Sequence, residues 1–158
     1  TGSSSYKAEE APPPFAVCWA RVSVDMTSGH VKLENIIEAV DVGRAINPEI
    51  VKGQVEGGVS MGVGYAMTEQ IEVDKKLHKI LSSDLLHYKV PLTLDMPDID
   101  VYIADGHEPT GPYGAKSVGE LSTVPVAAAI ANAISNATGE VVNKIPITHS
   151  FIPRGCGL

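Results

Sequence analysis

The residues best suited to chemistry lie in a glycine-rich loop that ends in a carboxylate. Gly111, Gly114 and Gly119 are followed directly by Glu120, and an alanine-rich segment comes shortly after. Backbone N–H groups of such a loop, together with the positive end of a following helix, can bind an anion or a polar cofactor. The glycine spacing matches neither a P-loop nor a dinucleotide fingerprint, so the pattern alone is equally typical of a structural turn.

Glu120 has two possible roles at this position. The helix dipole favours its ionised form and burial would favour its neutral form, and a carboxylate between these effects can act as a general base. A glutamate here can also simply cap the helix, and the spacing alone favours that alternative.

Composition limits the classes of protein to consider. The chain has 158 residues, 44% of them hydrophobic and 20% charged, which predicts one globular domain. Its net charge of −7 argues against a nucleic-acid partner. No apolar run is long enough to span a membrane, and the polar start predicts no signal peptide.

The potential metal ligands are few and dispersed. Cys18 and Cys156 alone cannot hold an iron–sulfur cluster or a structural zinc ion. Two reduced thiols are typical of a cytoplasmic protein, and a disulfide between them is the alternative. The five histidines show no paired spacing, so we expect no metal site made by side chains of this chain.

The order of the predicted elements indicates an α+β fold. Residues 1–14 read as a flexible N-terminal linker, and 15–158 as one domain segment. Alternating apolar residues predict a β-hairpin over 15–26 and 30–41. Asn47 and Pro48 predict the start of a long helix over 48–70. The remaining predictions are short strands over 69–73, 77–81 and 98–104, a helix over 124–137, and an extended or edge-strand tail at 145–147.

The first predicted helix is unusually rich in glycine. Each interior glycine costs a helix about 1 kcal/mol relative to alanine, so the glycines need a structural reason. They form two bare stripes at helical spacing, which would admit either a packed neighbour or a cofactor: Gly53, Gly57 and Gly64 in one, Gly58 and Gly62 in the other. Before the first helix, Asp41 and Arg44 flank Gly43 and are predicted to form an ion pair.

Several of these motifs, in this order, resemble the C-terminal part of the molybdopterin-binding (molybdenum) subunit of the xanthine dehydrogenase/aldehyde oxidase family. Ordered motifs are more specific than any one of them. The resemblance covers residues 22–25, 27–29, 39–48, 53–58, 61–66, 69, 114–120 and 127–133.

The resemblance implies roles for six residues. Glu120 would be the catalytic general base of a hydroxylase that inserts water-derived oxygen at an electron-poor carbon of an N-heterocycle or aldehyde. Gln54 would contact the pterin near the metal. The cofactor would also be lined by the segment that follows Ala115: Lys116, Ser117, Val118 and Gly119. The family most often has two prolines after the glutamate, where this chain has Leu121 and Ser122, and this departure concerns the substrate subgroup.

The same resemblance implies cofactors and partners. Molybdenum–molybdopterin would be bound in the assembled enzyme, and iron–sulfur clusters and FAD would lie on other chains or domains. The earlier part of the molybdenum subunit would complete the site, so we expect the chain to be inactive alone. It would be either a small subunit or an excised C-terminal domain. The alternatives are a non-catalytic assembly module and a small-ligand-binding module.

Overall fold

A computed structural model describes residues 2–5, 7 and 10–147 of the chain. The elements follow in the order β1 (Phe15–Val24), β2 (Val31–Asp41), α1 (Pro48–Met67), β3 (Val73–Asp74), β4 (Lys79–Ile80), β5 (Asp98–Ile103) and α2 (Val126–Thr138). The α+β prediction is confirmed. The described part contains no helix that is both long and apolar enough to cross a membrane.

Strands β1 and β2 form the predicted antiparallel hairpin. Its turn is closed by Asp25, whose carboxylate accepts the N–H of Thr27 at 2.8 Å and the hydroxyl of Ser28 at 2.7 Å. Gly29 completes the turn with a positive φ of 76°. Local turn chemistry therefore fixes the hairpin register.

Strand β5 pairs with β2 in parallel, which gives a three-stranded sheet in the order β1-β2-β5. The hairpin β3–β4 is separate and much shorter than the predicted strands over 69–73 and 77–81. Only two residues of each strand pair, and Asp74 closes the turn between them by accepting the N–H groups of Lys76 and Leu77. The mixed sheet therefore consists of the first hairpin and β5.

Helix α1 begins as predicted and ends three residues earlier than residue 70. The side chain of Asn47 accepts the N–H of Ile50 at 3.2 Å, and Pro48 occupies the first turn. At the other end, the N–H groups of Thr68 and Glu69 both bond to the carbonyl of Gly64, which stops the helix. The start of α1 could be predicted from the local signal of Asn47 and Pro48. The end of α1 depends instead on the Gly64 carbonyl, which accepts two N–H groups.

Both helices pack on one face of the sheet. Helix α2 lies against β1 and α1, and α1 also contacts β5. Helix α2 starts two residues later than predicted and ends at Gly139, whose φ of 77° is the expected left-handed cap. The core between the helices and the sheet is aliphatic: Ile36, Val40, Val42, Val51, Val55, Val59, Val63, Ala66, Val126, Ile130, Ile134 and Ile147.

The C-terminal tail lies only partly within the described residues. No strand forms over 145–147, and the N–H of Ile147 instead bonds to the carbonyl of Ala66 at 2.7 Å, near the end of α1. Cys156, which the disulfide alternative requires, lies outside the described residues.

Candidate cofactor site

The glycine-rich loop is anchored to the corner between β2 and α1. Backbone hydrogen bonds join Lys116 N–H to the Val42 carbonyl and Arg44 N–H to the Gly114 carbonyl, both at 2.7 Å. A short antiparallel bridge between Gly43 and Ala115 lies between them. The corner therefore fixes where the loop leaves the sheet.

Gly43 is required at this corner for two reasons. Its φ of 61° lies in the left-handed region that glycine adopts without strain. A Cβ at this position would also collide with the carbonyl oxygen of Gly114 and approach the backbone nitrogen of Lys116 to 3.2 Å. The close approach of the two segments thus depends on the missing side chain.

The predicted ion pair between Asp41 and Arg44 is wrong, because Asp41 pairs with Lys116. The ammonium of Lys116 lies 2.6 Å from Asp41 Oδ2, and the N–H of Gly43 donates to Oδ1 at 2.9 Å. Together, the Lys116 and Gly43 hydrogen bonds hold the pKa of Asp41 below its usual value. The bridge at Gly43 brings Lys116 beside Asp41, although the two residues are 75 positions apart.

The ammonium of Lys116 is therefore already bound by other groups of the chain. Its side chain is only 8% exposed, and its ammonium also donates to the carbonyl of Pro13 at 3.3 Å. Its side chain ties the loop to the sheet, and the following residues are the ones left accessible.

The segment after Lys116 presents unpaired polar groups. Ser117 and Gly119 are exposed and Val118 is half-buried. Within the described part of the chain, none of these three residues donates its backbone N–H to a hydrogen bond. Consecutive free N–H groups are the donors that an anionic or polar ligand needs.

Glu120 is exposed and begins a 3-10 turn, Glu120–Ser122. Its carbonyl accepts the N–H of Thr123 at 3.1 Å. Its carboxylate makes no hydrogen bond or ion pair to the residues that the structure describes, so it caps nothing there. The carboxylate is available to a ligand.

The loop that contains Glu120 packs along helix α1. Val118 lines a cleft with Ile50 and Val51 in the first turn of the helix. Further on, Thr123 Oγ1 donates to the carbonyl of Gly58 at 3.1 Å, in the third turn. The loop therefore contacts α1 on both sides of its second turn, where Gln54 is exposed.

The glycines of α1 divide into packed and open positions. A Cβ on Gly58 would collide with the hydroxyl of Ser122, and one on Gly62 would collide with Val126. A Cβ on Gly53 or Gly57 would have no atom within 4 Å. Close packing of α2 and its preceding turn therefore explains Gly58 and Gly62, but not Gly53 and Gly57.

Gly64 belongs with the packed glycines rather than with the open pair. A Cβ there would collide with the carboxylate of Glu69 and approach the ring of Pro91. Around the helix axis, the 100° step per residue places Gln54 between Gly57 and Gly58. Gln54 thus stands at the border between the open backbone and the packed interface.

These two classes of glycine predict opposite effects of alanine on stability. We expect Gly57→Ala to raise the free energy of unfolding by up to about 1 kcal/mol, because the added methyl is unobstructed and alanine favours the helix. Gly58→Ala should lower it by about 2 kcal/mol, because its methyl overlaps Ser122. Urea unfolding of the two variants measures both. Equal changes in the same direction would contradict the division into open and packed positions.

The open positions fit a flat polar ligand. Bare helix backbone at Gly53 and Gly57 allows a planar ring to approach closely, and Gln54 offers an amide that both donates and accepts hydrogen bonds. The free N–H groups at 117–119 can bind a negative group of the same ligand. These residues therefore fit a pterin cofactor, whereas the Lys116 ammonium is paired with Asp41.

Known proteins share this sequence and fold. The family model for the molybdopterin cofactor-binding domain matches residues 1–97. A xanthine dehydrogenase molybdenum-binding subunit from Escherichia coli is 37% identical over 148 residues, covering 94% of this chain and 20% of that protein. An aldehyde oxidoreductase molybdenum-binding subunit from Escherichia coli is 38% identical over 135 residues, covering 85% of this chain and 18% of that protein.

The structural comparison agrees. The aldehyde oxidoreductase of Desulfovibrio gigas superposes with a TM-score of 0.76 at 32% identity, covering 84% of this chain and 14% of that one. The chain thus spans about one fifth of the length of the curated relatives it matches. By its sequence and its fold, the chain belongs to the molybdopterin cofactor-binding domain family.

Proposed function

We propose that this chain forms one wall of the active site of a molybdenum hydroxylase of the xanthine dehydrogenase/aldehyde oxidase type. The reaction inserts oxygen from water at an electron-poor carbon of an N-heterocycle or an aldehyde. One observation carries the proposal: the exposed carboxylate of Glu120 follows a segment with free N–H groups, and its turn packs on α1, the helix whose bare and exposed second turn holds Gln54.

Each element of this wall has a distinct task. When bound, molybdenum–molybdopterin would supply the redox chemistry by taking up the two electrons and the proton of the C–H bond that breaks at the substrate carbon. The amide of Gln54 hydrogen-bonds a polar edge of the cofactor, and the N–H groups of Ser117, Val118 and Gly119 bind a negative group on it. The carboxylate of Glu120 takes the proton from the water-derived oxygen as that oxygen attacks carbon.

The geometry also supports the need for a partner. The polar groups of this wall face open solvent, whereas a hydroxylase must exclude water from its reacting atoms. We propose that the remaining part of the molybdenum-binding subunit closes the site, and that the chain is inactive without it. Iron–sulfur and flavin groups on further domains or subunits would carry the electrons away.

Cofactor retention tests the proposal. The assembled subunit, meaning this chain fused to or co-expressed with the remaining part of the molybdenum-binding subunit, is purified and its molybdenum and pterin are measured. We expect Gln54→Ala to reduce the retained cofactor about tenfold, because one hydrogen-bonded contact is worth about 1 kcal/mol or more.

Gln70→Ala is the matched control, because Gln70 is also exposed but lies beyond the end of α1. Equal cofactor content in the two variants would contradict the role of Gln54. Stoichiometric cofactor binding by the chain without its partner would contradict the proposal that the site is incomplete.

A further inference from the structure

The sheet has a second face that neither helix covers. We call it the outer face and define it by six side chains: Phe15, Val17, Trp19, Ile37, Ala39 and Tyr102. Its large members are well exposed, with 55% for Trp19 and 62% for Tyr102. Three aromatic side chains about half exposed leave on the order of 300 Å² of apolar surface open, which is large for a surface facing only water.

The strand register makes these residues one continuous patch. Val17 lies opposite Ala39, which in turn lies opposite Tyr102. Trp19 lies opposite Ile37 in the adjacent row. Because alternate residues of a strand share a face, Val17, Ala39 and Tyr102 form one apolar row across all three strands. Trp19 and Ile37 form a second row across β1 and β2, which ends at Asp100 on β5.

The patch is polar at one end and reaches the candidate cofactor site at the other. At the polar end, Arg21 pairs with Glu34, and the Asn35 side chain donates to Asp100 at 2.9 Å. At the opposite end, the Lys116 ammonium lies 5.2 Å from the centre of the Phe15 ring. The outer face is thus continuous with the segment that anchors the glycine-rich loop.

We propose that the outer face is the surface on which the remaining part of the molybdenum-binding subunit packs. This inference rests on the proposed function. Relatives of this chain are about five times its length, so most of such a subunit lies outside the chain. The one charged side chain in these rows is Asp100, which accepts a hydrogen bond from Asn35, and Lys116 beside them is paired with Asp41. The fitting partner surface is therefore mainly apolar.

A second copy of the chain is a poorer occupant. It would cover the apolar rows but would add nothing that the open wall around Gln54 and Glu120 lacks. A partner that packs on Phe15 and continues past Lys116 reaches that wall directly. One contiguous partner therefore accounts for both exposed surfaces.

Hydroxyl-radical footprinting of the assembled subunit tests the inference. Side-chain oxidation of Trp19 and Tyr102 is compared between the native and the urea-unfolded subunit by mass spectrometry. We expect at least tenfold protection of both residues in the native subunit. Leu77 is the internal control, because it is 74% exposed in the β3–β4 turn and should show little protection.

Each outcome decides a different point. The inference is overturned if Trp19 and Tyr102 are protected no more than Leu77. It is also overturned if their protection disappears when the subunit is diluted until it is monomeric, because a second copy would then be the occupant. A subunit that retains cofactor while Trp19 stays reactive refutes this inference alone. A subunit with protected Trp19 but no cofactor refutes the proposed function alone.

A charged substitution gives an independent result. Val17→Asp places a carboxylate in the middle of the outer face, where it points to solvent unless a partner covers it. We expect at least tenfold less assembled subunit, whereas Leu77→Asp should assemble normally. Normal assembly of Val17→Asp would overturn the inference.

Discussion

Replacing Glu120 with glutamine is expected to lower turnover of the assembled subunit about a thousandfold while its cofactor content stays unchanged. Glutamine has nearly the same shape but cannot accept a proton, and general-base catalysis typically contributes 10²–10⁴-fold. Glu120 is exposed and makes no contact that holds the fold, so the free energy of unfolding should change by less than about 0.5 kcal/mol. Steady-state kinetics with molybdenum analysis of the same sample measures both quantities.

Glu140→Gln is the matched control for this substitution. Glu140 is likewise exposed, but it lies after the end of α2 and outside the candidate site. It should retain the turnover of the unchanged subunit. Full turnover in Glu120→Gln, with cofactor bound, would contradict the catalytic assignment and favour a non-catalytic role for this chain in assembly.

Local chemistry explains which elements were predictable. The hairpin follows from alternation of apolar residues around a turn, and both helices have recognisable ends at Asn47 and Gly139. The parallel pairing of β5 with β2 has no such local signal, because Asn35 and Asp98 are 63 positions apart. Strands that are far apart in the sequence and pair only in the folded chain could not be matched from the spacing of residues.

The ion pair of Asp41 shows the same limit at the site. Arg44 is near in sequence, but the left-handed backbone at Gly43 turns the chain, and the bridge to Ala115 places Lys116 beside the carboxylate. The sequence indicated neither the left-handed backbone of Gly43 nor the segment that approaches it. The sequence predicted free N–H groups in the glycine-rich loop, but the structure was needed to show that they are those of residues 117–119.

The spacing of the glycines revealed the two stripes, but it could not show which glycines are packed and which are open. Gly57 and Gly58 are adjacent and chemically identical, yet one is open and the other lies against Ser122. This packing also gives a structural role to Ser122. Its hydroxyl is buried beside the bare backbone of Gly58, so a larger side chain there would have to displace the helix.

The alternating pattern of apolar residues in β2 could have predicted that Glu38 is part of the core. It lies between Ile36 and Val40 on the same face of β2, so a period of two places its carboxyl group in an apolar row. The structure buries it completely, and neither oxygen has a hydrogen-bond partner among the described residues. Burial raises its pKa to about 8.

The surroundings of Glu38 offer no compensating charge. Its neighbours across the sheet are Cys18 and Val101, and burial, with a smaller contribution from Glu38 itself, raises the pKa of the Cys18 thiol to about 12. The buried residues of both helices are aliphatic or glycine. The carboxyl group is therefore neutral in the folded protein at pH 7, and ionising it opposes folding.

Glu38 should consequently make the protein less stable as the pH rises. Its pKa is about 8 when folded and 4.5 when unfolded, so between these values the folded state binds one more proton than the unfolded state. The free energy of unfolding then falls by about 1.4 kcal/mol per pH unit over that window and levels off above it. Glu38→Leu removes this dependence and should be more stable by about 3 kcal/mol at pH 7.

Urea unfolding of this chain from pH 5 to pH 9 measures the effect. Glu38→Gln should also abolish the slope, because glutamine does not titrate, although its buried amide still lacks partners and its stability gain should be smaller. Glu34 lies on the same strand as Glu38 but is exposed and pairs with Arg21 of β1. Glu34→Gln should therefore keep the slope of the unchanged chain. If Glu38→Leu keeps that slope as well, the buried carboxyl group is not the source of the pH dependence, and the core between β2 and the helices must admit water or a partner to it.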